Sequence, residues 1–84
     1  MPAGDIETYH QDGQWHNRVE GQRLPTASYA TKGEAVKAGR IYATYRALNV
    51  DPRGQCEHII KRMDGTIEDR QTYPRSADPR QTPG

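Results

Sequence analysis

The residues of this chain with the widest chemical range are three histidines, His10, His16 and His58, and a single cysteine, Cys56. Histidine is the commonest metal ligand and the side chain that exchanges protons near neutral pH. A zinc site needs three or four ligands converging on one point. No compact His/Cys spacing is present, so no metal site is expected. Cys56 and His58 stand two residues apart in an alternating run, so on a strand both point the same way with Cβ atoms about 6.5–7 Å apart. That is too far for a nucleophile–base hydrogen bond, and the expected role of Cys56 is that of a structural thiol. Asp64 has a sufficient reason as a turn residue before Gly65, and no pocket-forming segment surrounds it or Asp69. Gly33 and Gly39 fall inside a helical segment, not between a strand and a helix, so they make no phosphate loop. The chain is expected to be non-enzymatic, with no cofactor-binding residue.

The element that must organise everything else is Thr31 to Leu48, TKGEAVKAGRIYATYRAL. Thr31 and Glu34 have capping-box spacing. Ala35, Ala38, Ile41, Tyr42, Tyr45 and Leu48 recur at three- and four-residue intervals and predict one apolar stripe facing a sheet. Arg46 suits the carboxyl end of the helix dipole, and Asp51-Pro52 ends the helix. Gly39 borders the stripe and predicts a close helix–sheet approach.

Around this helix lie short alternating runs. Asp5 to His10 and Gln14 to Glu20 flank Asp12-Gly13, a strong hairpin signal. Trp15 and Val19 are expected to face the helix, with His16, Arg18 and Glu20 on the other side. A short third strand lies within Leu24 to Tyr29, at an edge or beginning after Pro25. Cys56 to Arg62 and Thr66 to Arg70 flank a second Asp-Gly turn. The order is β-β-β-α-β-β, an α+β fold in which a small antiparallel sheet packs on one central helix. Residues 5–73 form the domain, with a flexible lead-in over 1–4 and a flexible tail over 74–84.

Only 32% of the 84 residues are hydrophobic and phenylalanine is absent, so the core must be small. Its expected members are Ile6, Trp15, Val19, Leu24, the helix stripe, Ile59 or Ile60, and Ile67. Domains of this size bury only about 60% of the surface that their unfolded chains expose, so pairing with a second copy is expected. Twelve basic residues against eleven acidic ones give a net charge of +1, which predicts no general affinity for nucleic acid or anionic lipid. No apolar run approaches the roughly 20 residues that cross a membrane, and the first residues lack a secretory pattern. The expected location is cytoplasmic.

Two surfaces remain for function. Tyr9, Trp15, Tyr29, Tyr42, Tyr45 and Tyr73 supply amphipathic rings suited to an interface, with a homodimer or an unidentified protein partner as the occupant. The alternative is contact with nucleic-acid phosphates through Arg18, Lys32, Lys37, Arg40, Lys61, Arg62 and Arg70. Glu34, Glu57, Glu68 and Asp69 alternate with these bases, as on an ordinary solvated surface.

Laid out in order, several short motifs carry a resemblance. They are Tyr9-His10, Gly13-x-Trp15, Arg18 with Glu20-Gly21, and Thr31-Lys32-x-Glu34-Ala35-Val36. The run His58 to Ile67, HIIKRMDGTI, and the Tyr73…Asp78-Pro79 ending complete the set. In this order and spacing the chain resembles a family of small uncharacterised bacterial proteins catalogued as domain of unknown function 2188. That family has no assigned activity, so the resemblance implies the fold and no catalytic residue.

Overall fold

Asp12 and Gly13 both adopt left-handed backbone angles, φ 54° and 78°, which a two-residue hairpin turn requires. The computed structural model describes residues 4–74. The expected tail from 75 onward and the first three residues of the expected lead-in lie outside the described residues. The turn joins β1 (Ile6–Gln11) to β2 (Gln14–Val19), antiparallel, with Gln11 opposite Gln14 and Ile6 opposite Val19. β3 (Ala27–Tyr29) begins only after Pro25, which has no amide proton for the ladder.

Helix α1 (Lys32–Asn49) starts where the capping pair places it. Glu34 N donates to Thr31 Oγ1 at 3.2 Å, and Thr31 N donates to Glu34 Oε1 at 3.3 Å. At its other end Val50 N and Asp51 N both donate to Arg46 O, so two amides close the last turn. β4 (Cys56–Lys61) and β5 (Ile67–Tyr73) follow. Their connection contains Gly65 at φ 88°, with Asp64 Oδ1 accepting from the Thr66 amide and hydroxyl.

The strands make one five-stranded sheet in the order β3-β2-β1-β4-β5, with α1 packed on one face. The β-β-β-α-β-β order is the expected one, but the sheet is mixed. Its central pair, β1 and β4, is parallel, with Ile6 opposite His58 and Thr8 opposite Ile60. The cause is the single helix. β3 runs parallel to β1 because β2 reverses the chain between them. α1 then carries the chain back across the sheet, so β4 takes the direction of β3.

The helix meets the sheet through its smallest side chains. Ala35, Gly39, Ala43 and Ala47, each four residues from the last, are the buried positions of α1. Ala43 and Ala47 pack with Ile6, Val19, Cys56 and Tyr73, and Tyr42 closes one flank. This corrects the expected stripe: Ile41, Tyr45 and Leu48 face away from the sheet and are 62%, 54% and 66% exposed. Leu24 and Ile67 are likewise outside the core, at 76% and 41% exposed, while Ile59 and Ile60 are both buried. Trp15 and Val19 face the helix as expected.

Between the helix and the three central strands lies a buried polar chain. Asn17 Nδ2 donates to Ala35 O at 2.8 Å, so its Oδ1 is free to accept from Thr8 Oγ1 at 2.5 Å. The only hydroxyl proton of Thr8 is thereby used. At the 2.6 Å contact between Thr8 Oγ1 and His58 Nε2, the ring nitrogen must therefore carry the proton. His58 is fully buried in this tautomer, and its Nδ1 lone pair has no hydrogen-bond partner. Burial is the main reason that its pKa is lowered to about 4, and the Arg40 charge adds to the effect against an opposing pull from Asp69. The ring also fills the space that Gly39 leaves. A Cβ at residue 39 would stand 2.6 Å from Nε2.

Candidate interaction surface

At about 100° per residue, Ile41, Tyr45 and Leu48 project roughly 140–200° around the helix axis from Ala43. Burying the small stripe therefore forces these three outward together, at the i, i+4, i+7 spacing of a helix seam. Beside them runs an open groove of about 530 Å³. Its walls are Ile41, Thr44 and Tyr45 from the helix, and Tyr73 with Pro74 from the end of β5; Arg40 stands at its margin. Tyr73 is itself buried and packs with the core, so the floor of the groove is held by the core. Ridge and groove share Ile41 and Tyr45, and form one apolar flank of α1.

Of the six aromatic residues expected at an interface, Tyr45 and Tyr73 line this flank and the other four do not. Tyr9, Trp15 and Tyr73 are buried within the chain, and Tyr29 and Tyr42 are half-buried. The Tyr9 ring lies on the sheet face away from the helix, under the Arg18 guanidinium at 4.4 Å and beside the His16 ring. Trp15 has the Lys32 ammonium 5.5 Å above its ring. Tyr45 alone of the six is well exposed. Ile41 and Leu48, which dominate the flank, were expected in the core. A small-x-x-x-small run, Ala35, Gly39, Ala43, Ala47, is the signal in the sequence that identifies the true packing face.

The basic residues divide between the two faces of the domain. On the outer sheet face, Glu7 accepts from Arg18 at 2.7 Å and faces Lys61 at 3.2 Å, while Arg70 pairs with Glu57 at 2.7 Å. Burial tends to raise the Glu7 pKa, but hydrogen bonds from Arg18 and Lys61 outweigh this and hold the carboxyl below its ordinary range. Lys32 pairs with Glu68. Arg62 is spent on its own turn, donating to Thr66 Oγ1 and Ile67 O. Among the described residues, only Lys37 and Arg40 of the seven expected phosphate contacts lack a described ion-pair or side-chain hydrogen-bond partner. Both lie on the same side of α1 as the apolar flank, toward its amino end.

The histidines stay apart. His10 packs edge-on against Trp15, and His16 bonds Ser28 Oγ and Gln11 O. His58 lies in the buried chain already described. Among the described residues no group of three His, Cys, Asp or Glu side chains is placed to hold a metal ion. Cys56 is fully buried, its Sγ donates to Gly4 O at 3.3 Å, and burial pushes the thiol up to about 11. No helix among the described residues is long and apolar enough to cross a membrane.

A comparison with protein families matches residues 6–73 to the model of domain of unknown function 2188, described as an uncharacterized protein conserved in bacteria. That span takes in all five strands and the helix. The chain belongs to this family. Searches of curated proteins and of solved structures gave no match. In this member of the family, the hairpin motif, the capped helix and the HIIKRMDGTI run are fold determinants. Tyr9, Trp15 and His58 within these motifs are all buried.

Proposed function

We propose that this family member is a non-enzymatic interaction module that docks through the exposed flank of α1. The observation that carries the reading is the outward ridge Ile41, Tyr45 and Leu48 beside a groove, all on one side of a rigid helix. Scattered exposed apolar residues need no explanation, whereas a contiguous patch bordered by polar groups suits a partner. A helix seam at this spacing is also a recurrent recognition element. The burial of Cys56 and its raised pKa support a structural, non-nucleophilic thiol.

The test compares the wild-type chain with an Ile41→Glu, Leu48→Glu variant. Both positions are exposed, so the fold should survive with a stability change of about 0.5 kcal/mol or less per site. The expected outcome is loss of association, with itself or with a captured protein, in the variant alone. Equal association by both chains would remove the flank from consideration.

The nucleic-acid reading rests on Lys37 and Arg40 and makes a different prediction. Two phosphate contacts give a salt-dependence slope of only about −2 and negligible affinity at physiological salt. Fluorescence anisotropy with a labelled duplex should therefore show no saturable binding at moderate salt. Tight binding abolished by Lys37→Ala and Arg40→Ala would favour that reading over docking by the apolar ridge.

A further inference from the structure

We infer that the occupant of the α1 flank is a second copy of this chain, packed as an antiparallel helix pair about a two-fold axis near Thr44 and Tyr45. The inference rests on the docking reading above and names its partner.

Three observations select a second copy. First, the flank is self-complementary. The ridge and the groove share Ile41 and Tyr45 and lie side by side. A two-fold axis between residues 44 and 45 sets Leu48 of each copy against Ile41 of the other, at the groove of that partner. An isologous contact requires a patch of this kind, one that fits itself.

Second, the charges agree with the antiparallel direction. The same axis carries Lys37 and Arg40 to the carboxyl end of the partner's helix, where the dipole favours a cation and where Arg46 and Arg53 are already engaged, by Gly4 O and by Asp5 and Asp51. Neither base has an ion-pair partner among the described residues of its own chain. A net charge of +1 per copy leaves little long-range repulsion to oppose the pairing.

Third, the alternative occupant from the same chain is chemically unsuited. The chain continues past Pro74, at the groove, as RSADPRQTPG. This segment holds no apolar side chain larger than alanine or proline to fill an apolar groove.

The area sets the strength. Three side chains exposed by half to two-thirds offer on the order of 300–400 Å² of apolar surface per copy. A standard interface buries about 800 Å² per partner. The dimer is therefore a weak, reversible one, and association is sought across the micromolar to sub-millimolar range.

The experiment is sedimentation equilibrium of the full chain across that range. It is run on wild type, on the Ile41→Glu, Leu48→Glu variant and on Tyr9→Phe as a control away from the flank. The expected result is a mass rising with concentration toward twice 9.5 kDa for wild type and control, and a monomer throughout for the double variant with unchanged circular dichroism. A wild-type monomer at every concentration overturns the second copy. The docking reading then stands or falls separately, on whether a different protein is captured by wild type and lost by the variant. A dimer that survives in the folded double variant overturns the placement on α1. If the double variant fails to fold, Thr44→Arg at the axis replaces it, with the same two outcomes.

Discussion

Replacing Gly39 by alanine is expected to destabilise the domain, although the same change in an exposed helix interior stabilises it by about 1 kcal/mol. The sign is reversed by what lies under the helix. The new Cβ would stand 2.6 Å from His58 Nε2, 2.9 Å from Cε1 and 3.0 Å from Thr8 Oγ1. All three atoms belong to fully buried side chains, and Thr8 and His58 hold each other through a 2.6 Å hydrogen bond. Relief needs either the helix to rise or the polar chain to break. Overpacking of this kind costs about 1–3 kcal/mol, so the net loss reaches up to about 2 kcal/mol for alanine. Gly39→Val should leave little folded protein. Urea denaturation gives the number. The control is the same substitution in a His58→Ala background, where the space is vacated and Gly39→Ala should become neutral or stabilising. Simple additivity of the two changes would show that the contact does not exist.

Acid should loosen the domain as pH falls below about 6.5, through its one fully buried histidine among the described residues. His58 has its folded pKa lowered from 6.5 to about 4, so between these values the unfolded chain binds the extra proton and the folded one does not. Stability then rises with pH across this window. The contribution is fully present above 6.5, is lost progressively as pH falls toward 4, and falls no further below that. The shift corresponds to about 3 kcal/mol. The structural reason is the buried tautomer: a second proton at Nδ1 would be a charged donor with no acceptor, near the Arg40 charge. Glu7, whose carboxyl is held below 4.5 by Arg18 and Lys61, contributes a separate loss only at lower pH. Denaturation at a series of pH values should show the slope between 6.5 and 4 for wild type. His58→Gln, which retains a donor toward Thr8 and cannot titrate, should flatten it. An unchanged slope in that variant would assign the acid sensitivity elsewhere.

Much of the fold is local in origin and could be read residue by residue. Thr31 and Glu34 cap α1 as their spacing requires, and the two Asp-Gly pairs mark the β1–β2 and β4–β5 connections. Alternation along β2 correctly turns Trp15 and Val19 to the helix and Arg18 away from it. The orientation of α1 was not legible from hydrophobicity. Two faces of the helix compete for the sheet, and size decides between them. The His58 ring already occupies the space beneath Gly39, and the chain Ala35–Asn17–Thr8–His58 ties the helix backbone close to the strands. Ile41 or Tyr45 on that side would hold the helix too far off for Asn17 to reach Ala35 O. These contacts join residues up to 50 positions apart, and no short window contains them. The parallel β1–β4 pair was hidden for a related reason: strand direction follows from the path of α1 across the sheet, not from any residue in either strand. The same orientation of the helix puts Ile41, Tyr45 and Leu48 on the surface, beside the groove that Tyr45 and Tyr73 line.

The orientation of α1 underlies the proposed docking flank, the proposed two-fold pairing and the observed Gly39 contact alike, and acetylation of tyrosine hydroxyls tests it most directly. In native protein at nanomolar concentration, below the range in which the proposed dimer forms, Tyr45 should be acetylated readily, while Tyr9 and Tyr73 remain protected until unfolding. Peptide mapping assigns each site. Protection of Tyr45 to the same degree as Tyr73 in the dilute folded protein would place the large side chains of α1 against the sheet and contradict the account.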